Sequence, residues 1–279
     1  MDIGQHLRKV ATMLGGRAPM CAGLNCTART LLQSFRHRHQ GINFEDRWYC
    51  GEKCFHLAVN EKIRELLTSQ SKPAKARNSR IPLGLLLLSR GSLTPEQLRI
   101  ALDYQRGTAC NFGEAVLQLG YATPNQVTSA VAAQWACPVF SLTDRKVETQ
   151  VKIPKRLLDL YKFMPVHFAE KERRLMIAFV YGVHHQLLYT VGHMTSSIVA
   201  PCFITAHEFE TRSLATPEPL DNTLVFELVS DPAEIVRIMR NYALQLAVEN
   251  VRLGRCCDYL WARMWGRNRE MDLLFRVSD

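Results

Sequence analysis

Along the chain the spacing of apolar positions changes several times, and each change marks an element. From residue 82 onward apolar residues come in short runs that stop at glycine, PLGLLLLSRG and then NFGEAVLQLG. Each run is followed by Thr-Pro-x-Gln and a second stripe at the i, i+3, i+4 spacing of one helix face: Leu98, Ala101 and Leu102, then Val127, Ala130 and Val131. Gly91 and Gly120 suit a left-handed helix C-cap. Thr94 and Thr123 supply an N-cap hydroxyl, Pro95 and Pro124 the first helical residue, and Gln97 and Gln126 the amide of a capping box. The pattern predicts two helical hairpins in tandem.

From Pro138 the period shortens. PVFSL, FMPVHFAE, RRLMIAFV and SIVAPCFI predict strands, while IPKRLLDLY, a segment near 184–191 and HEFETRSL predict helices, an α+β layer. Past TPEPLDN, Asp231 opens a helix whose stripe runs Ile235, Ile238, Met239, Tyr242, Leu246 and Val251; CDYLWARMW and EMDLLFRV then predict a hairpin around GRNR. Trp261, Trp265 and Phe275 fit either an exposed contact surface or plain core at alternate strand positions. Upstream, Trp48 to Cys50 predicts a strand end that turns into a helix over Glu52 to Leu66.

The two hairpins are copies. A shift of 29 residues superposes 82–105 on 111–134 across a five-residue spacer, RGTAC, with eight of 24 columns identical, where composition alone gives about one or two. The shared residues are Gly84/Gly113, Leu88/Leu117, Gly91/Gly120, Thr94/Thr123, Pro95/Pro124, Gln97/Gln126, Ala101/Ala130 and Gln105/Gln134.

Four of the nine cysteines are paired in spacing, Cys21-x4-Cys26 and Cys50-x3-Cys54. Without an export signal in the sequence a disulfide framework is not expected, and four thiolates suffice for a closed tetrahedral zinc site. Cys50 and Cys54 sit at i, i+4 where a helix begins, and a helix N-terminus favours the thiolate. This arrangement resembles the treble-clef zinc finger; its x4 first spacing departs from the usual x2, which leaves His37 or His39 as alternative ligands and four unliganded buried cysteines as the competing reading. Cys110, Cys137, Cys202, Cys256 and Cys257 lack paired spacing and read as small core residues. His184 and His185 are adjacent, so they face apart on a helix, and no third ligand accompanies them.

The net charge of +9 is uneven: residues 1–80 carry 14 Lys/Arg against 6 Asp/Glu. A basic head fits nucleic acid, acidic protein or anionic lipid, or is simply solvated. The longest aliphatic run, broken at Gly84, is far short of a membrane span, so a cytoplasmic protein is expected. No G-x-x-x-x-G-K-[ST], G-x-S-x-G or H-E-x-x-H occurs, so no enzyme is expected.

The doubled 24-residue motif with its five-residue spacer resembles the MshE-type N-terminal domain found ahead of the ATPase in type IV pilus and type II secretion assembly motors. The segment from the Ile-Pro helix through RLMIAF resembles the second half of that domain, and 217–279 loosely resembles the small domain before the motor core. The resemblance implies cyclic-di-GMP as ligand. It places Leu83, Gly84, Leu87, Leu88, Gly91, Leu93, Leu98, Leu102 and Gln105 in one half-site, and Phe112, Gly113, Val116, Leu117, Gly120, Val127, Val131 and Gln134 in the other. The family's Arg/His position is held here by Pro82 and Asn111, so a dinucleotide site and a purely structural scaffold both stay open. The expected architecture is an α+β multidomain chain: a zinc-finger-like head (1–66), a linker (67–80), the helical repeat (81–136), an α/β sandwich-type subdomain of the same domain (137–216) and a helix with a β-hairpin (217–279). The expected role is a regulator or adaptor for pilus or secretion motor components, the rival being a zinc-dependent regulator that binds nucleic acid through its head.

Overall fold

A computed structural model describes residues 20–24, 26, 41–68, 80–142, 151–215, 222–227, 229, 231–267 and 269–277. The chain forms two compact units, one from 71–221 and one that joins 1–70 to 222–279.

In chain order the elements are β1 (Ile42–Phe44), β2 (Arg47–Tyr49), α1 (Glu52–Thr68), α2 (Leu83–Ser89), α3 (Pro95–Gly107), α4 (Phe112–Gln118), α5 (Pro124–Gln134), α6 (Lys155–Tyr161), β3 (Phe163–Ala169), β4 (Arg174–Phe179), α7 (His185–Thr195), β5 (Ile198–Phe203), α8 (Ala206–Ala215), β6 (Thr223–Phe226), α9 (Pro232–Gln245), β7 (Asn250–Cys256), β8 (Tyr259–Trp265) and β9 (Glu270–Arg276).

In the 71–221 unit the two copies fold alike, each a short helix that stops at glycine followed by a longer one that opens on a capping box. Helices α2 and α4 end identically: the N–H groups of Gly91 and Ser92 donate to Leu88 and Leu87 carbonyls, and those of Gly120 and Tyr121 to Leu117 and Val116. Both glycines have φ +68, the left-handed cap that a side chain resists. Helices α3 and α5 begin identically, with both capping boxes closed: Gln97 N to Thr94 Oγ1 at 3.2 Å and Thr94 N to Gln97 Oε1 at 2.9 Å, then 3.3 and 2.8 Å for the Thr123/Gln126 pair. Thr94→Ala and Thr123→Ala are each expected to cost about 1 kcal/mol. Near-equal losses in urea unfolding would verify that the two caps do the same job.

The copies interlock. The first helix of each packs chiefly on the second helix of the other, α2 on α5 and α4 on α3. A Cβ on Gly84 would lie 2.5 Å from Leu98 and 3.2 Å from Phe112; a Cβ on Gly113 would lie 3.3 Å from Val127 and 3.7 Å from Leu83. Leu98 and Val127 are equivalent positions, as are Phe112 and Leu83, so each glycine meets its own copy's second helix and the other copy's first. Gly84→Ala is therefore expected to overpack the unit and cost about 1–3 kcal/mol. Gly91→Ala, where open space surrounds the site, should cost only its backbone strain, about 1–2 kcal/mol. Thermal unfolding of the two variants, each alone and combined with Leu98→Ala, separates these causes: the second change relieves the first variant and not the second.

Next to the helical pairs lies a three-stranded sheet in the order β3-β4-β5, antiparallel then parallel. Helix α7 is the crossover between the parallel strands β4 and β5, as parallel pairing requires. PVFSL contributes one bridge, Val139 to Phe203, rather than a strand.

The other unit departs from expectation. A single six-stranded sheet runs β2-β1-β7-β8-β9-β6, so the segment read as a separate head and the segment read as a helix with a hairpin are one structure. The seam is parallel pairing of β1 on β7, Asn43 with Asn250 and Phe44 with Val251. One buried cluster spans it, with Phe44, Phe55 and Ile63 on one side and Met239, Val251 and Leu253 on the other. An independent head is corrected for a simple reason: its few apolar residues have no core of their own. The helical stripe extended to Val251 is corrected too. Helix α9 stops at Gln245, where Ala247 takes φ +46 and the Val248 N–H closes on Ala243; without glycine at that cap the sequence carries no stop signal. Trp261 and Phe275 are wholly buried, which decides for plain core over an exposed contact surface at these two positions.

On the sheet face that carries Trp261, Asp272 accepts from Trp261 Nε1 (2.9 Å), Arg263 Nε (2.8 Å) and, at its other oxygen, Arg263 Nη2 (2.7 Å). Arg263 is 4% exposed. Among the described residues no helix is long and apolar enough to cross a membrane.

Candidate functional site

The cysteine centre forms where three local structures meet. Cys21 and Cys26 flank a tight turn, Cys26 N donating to Gly23 O at 3.3 Å; Cys50 follows β2; Cys54 lies in the first turn of α1. All four sulfurs lie within 4.8 Å of one another, and this is the one such cluster of potential ligands among the described residues. Cys26 and Cys50 sulfurs are 3.5 Å apart, and those of Cys50 and Cys54 3.8 Å. Zn–S bonds of ~2.3 Å in tetrahedral array place sulfurs about 3.8 Å apart, so the donor set fits a closed thiolate site. Gly23 is bare where a Cβ would sit 3.2 Å from the Cys54 sulfur. His37 and His39 lie outside the described residues, as do Arg8, Lys9, Arg17, Arg29, Arg36, Arg38, Lys72, Lys75 and Arg77, most of the basic excess.

The protons of this cluster are unevenly held. Burial pushes the Cys21 thiol up, but the N–H groups of Cys50 (3.4 Å) and Gly23 (3.5 Å), with hydrogen bonds from Cys26 and Cys50, outweigh it and leave it lowered. Cys50 is raised, first by burial and then by its cysteine neighbours; Cys54 is pushed up to about 11 by burial, Cys26 and Cys21, against a lowering bond from Cys50. A metal that needs thiolates must displace the protons of Cys50 and Cys54. Zinc uptake near neutral pH should therefore release roughly two or more protons per metal, and affinity should fall on acidification. Zinc titration in weak buffer with a pH indicator checks the sign.

The second candidate is the face shared by the copied hairpins. A recess of about 40 Å³ is lined by Leu83, Asn111, Gly113, Leu117, Pro124, Val127, Thr128 and Val131 from the repeats, and by Val180, Tyr181 and Ala206 from the neighbouring layer. Thus Leu83 of the first half-site joins Gly113, Leu117, Val127 and Val131 of the second. The volume suits a few waters, so a nucleobase would lie over the recess and not within it. Other expected site residues go elsewhere. Leu87, Leu93 and Val116 are buried in the hairpin core. Leu102 is 39% exposed, and Gly91 and Gly120 are exposed at their caps. Gly84 and Phe112 form the interlock, beside half-buried Leu88, Leu98 and Gln105. Gln134 Nε2 donates to the Ile81 carbonyl at 2.8 Å, which ties the end of the second copy to the start of the first.

Where the resembled family has a cation, Asn111 is a helix cap, its side chain accepting from Glu114 N at 3.0 Å; Pro82 is the N-cap of α2 without a side-chain bond. The Arg80 guanidinium stacks on Trp135, 3.3 Å from the ring centroid, a cation–π contact. The Tyr181 phenol is raised by burial and by its bond with Glu114, so it stays protonated beside a carboxylate. Pro124, Thr128, Val180, Tyr181 and Ala206 were absent from the sequence-based set. The first two share a helix face with Val127 and Val131; the last three reach the recess only through tertiary packing. His184 and His185 face aromatic rings, Tyr161 at 5.7 Å and Trp135 at 5.9 Å.

No family model matches the sequence, and no curated protein matches it. Among solved structures the chain is similar to a structure of MshE with cdg, at 19% identity and a TM-score of 0.42, over 49% of this chain and 99% of that one. It is also similar to the N-terminal domain of XpsE in two crystal forms. One has 14% identity and a TM-score of 0.39 over 47% of this chain and 91% of that one; the other has 18% and 0.30 over 46% and 89%.

Proposed function

We propose that this chain is a non-catalytic, cytoplasmic regulator of type IV pilus or type II secretion assembly, which carries a cyclic-di-GMP-type module and a structural zinc centre. The observation that carries the reading is the reciprocal packing of Gly84 on Phe112 and Gly113 on Leu83. Two halves alike in fold and arranged in this way match a ligand made of two identical guanylate halves. Leu83, Leu117, Val127 and Val131 offer aliphatic cover for a base face, and side-chain-free backbone at glycine lets amides approach phosphate. The ligand acts by binding one arrangement of the two hairpins better than another.

Titration calorimetry of the full chain with cyclic-di-GMP tests this. The expected result is one ligand per chain, and no heat at high micromolar ligand would leave the module a packing scaffold. Pro82→Arg restores a cation where no existing side-chain cap is lost. A charge-assisted bond to phosphate is worth about 1.5–3 kcal/mol, so the variant should bind about tenfold tighter or better.

A further inference from the structure

We infer that occupancy of the cysteine centre controls the strand next to the head, deciding whether β7 is an interior strand or an open edge. The inference rests on the metal-site reading and extends it to a segment that supplies no ligand.

All four sulfurs come from residues 21–54, yet the structure they organise is completed by residues 231–277. The metal would bind the turn at Gly23, the end of β2 and the start of α1 to one another and so fix β1 in place. The strand pairing at the seam beyond is slender, the rest of its support being the shared apolar cluster. Strand β1 is three residues long and shares two register pairs with β7. Asn43 N donates to Glu249 O at 2.8 Å and Glu45 N to Val251 O at 3.2 Å. Leu253 N donates to Glu45 Oε1 at 2.6 Å, across 208 residues of sequence. Contacts so distant in sequence carry a loop-closure cost that local pairing does not. The β7-β8-β9 meander, by contrast, pairs over seven residues at each interface. Loosening the head therefore breaks the β1–β7 seam while the meander holds. The result is a β7 edge with unpaired backbone groups, a template for strand addition.

Hydrogen exchange on the full chain, as purified with zinc and after removal by a strong chelator, tests this, with metal content measured in parallel. The expected result is exchange at least about tenfold faster at Asn43, Glu45 and Leu253 in the metal-free chain, with the β8–β9 ladder unchanged. Zinc that binds and leaves without altering those amides overturns the inference and spares the metal site. Loss of protection throughout β7, β8 and β9 also overturns it, because the metal would then support the whole sheet. A chain that takes up no metal overturns both. Glu45→Ala should speed exchange at Leu253 with zinc still bound, and Glu45→Gln should restore protection; an unchanged Leu253 in the alanine variant would contradict the weak seam.

Discussion

Cys50→Ser is expected to abolish stoichiometric zinc binding and destabilise the head and its β1–β7 seam by several kcal/mol, while the β7-β8-β9 meander holds and the 71–221 unit keeps its own transition. Cys50 contacts all three other members of the cluster, Cys26 at 3.5 Å and Cys54 at 3.8 Å by its sulfur and the Cys21 sulfur at 3.4 Å by its N–H, and a serine hydroxyl does not ionise to replace it. Structural zinc contributes on the order of 10–16 kcal/mol in isolated finger peptides. Here part of the support comes from the shared apolar cluster, where Phe55, Val59 and Ile63 are at most 1% exposed, so the head should loosen without complete loss of the sheet. Elemental analysis of purified protein and urea unfolding followed by circular dichroism report the two effects. Equal stability and equal metal content in variant and parent would refute the assignment.

Asp272→Ala should cost about 3–5 kcal/mol, the range for removing one partner of a buried ion pair. The loss arises because Arg263, with a side chain 5% exposed, would be left with Glu270 at 3.4 Å, while Trp261 Nε1 would lose its acceptor. The Arg263 guanidinium also lies 5.3 Å from the Trp261 ring, so the pair, the indole and the strand register are coupled. Replacing both partners with apolar residues, Arg263→Met with Asp272→Leu, should recover most of that loss. Urea midpoints of the single and double variants decide it; a single variant as stable as the parent would mean that the pair is hydrated.

The helical repeat was legible because its signals are local. Thr-Pro-x-Gln writes a capping box into four residues, and Gly91 and Gly120 supply the left-handed cap where each first helix stops. The interlock was not legible: that Gly84 meets Phe112 of the other copy as well as Leu98 of its own follows only from packing. Strands β8 and β9 were visible as runs of apolar and aromatic residues. Strand β7 was hidden because Ala247, not glycine, turns the chain out of α9, and because Val251 also falls on the helical stripe. The composite sheet was beyond sequence reach, since nothing near Asn43 indicates that its partner is Asn250. Of the candidate sites, the cysteine spacing predicted the cluster directly. Leu83, Gly113, Leu117, Val127 and Val131, which the family resemblance implied as site residues, line the recess, whereas Tyr181 comes from just past β4 and engages Glu114.

Nuclear Overhauser measurements on the full chain test the interlocked pair most directly. The account predicts contacts from Gly84 to the Phe112 ring and from Gly113 to the Leu83 methyls, both present. Contacts confined within 82–105 and within 111–134 would contradict it, and with it the twofold cradle on which the proposed ligand depends.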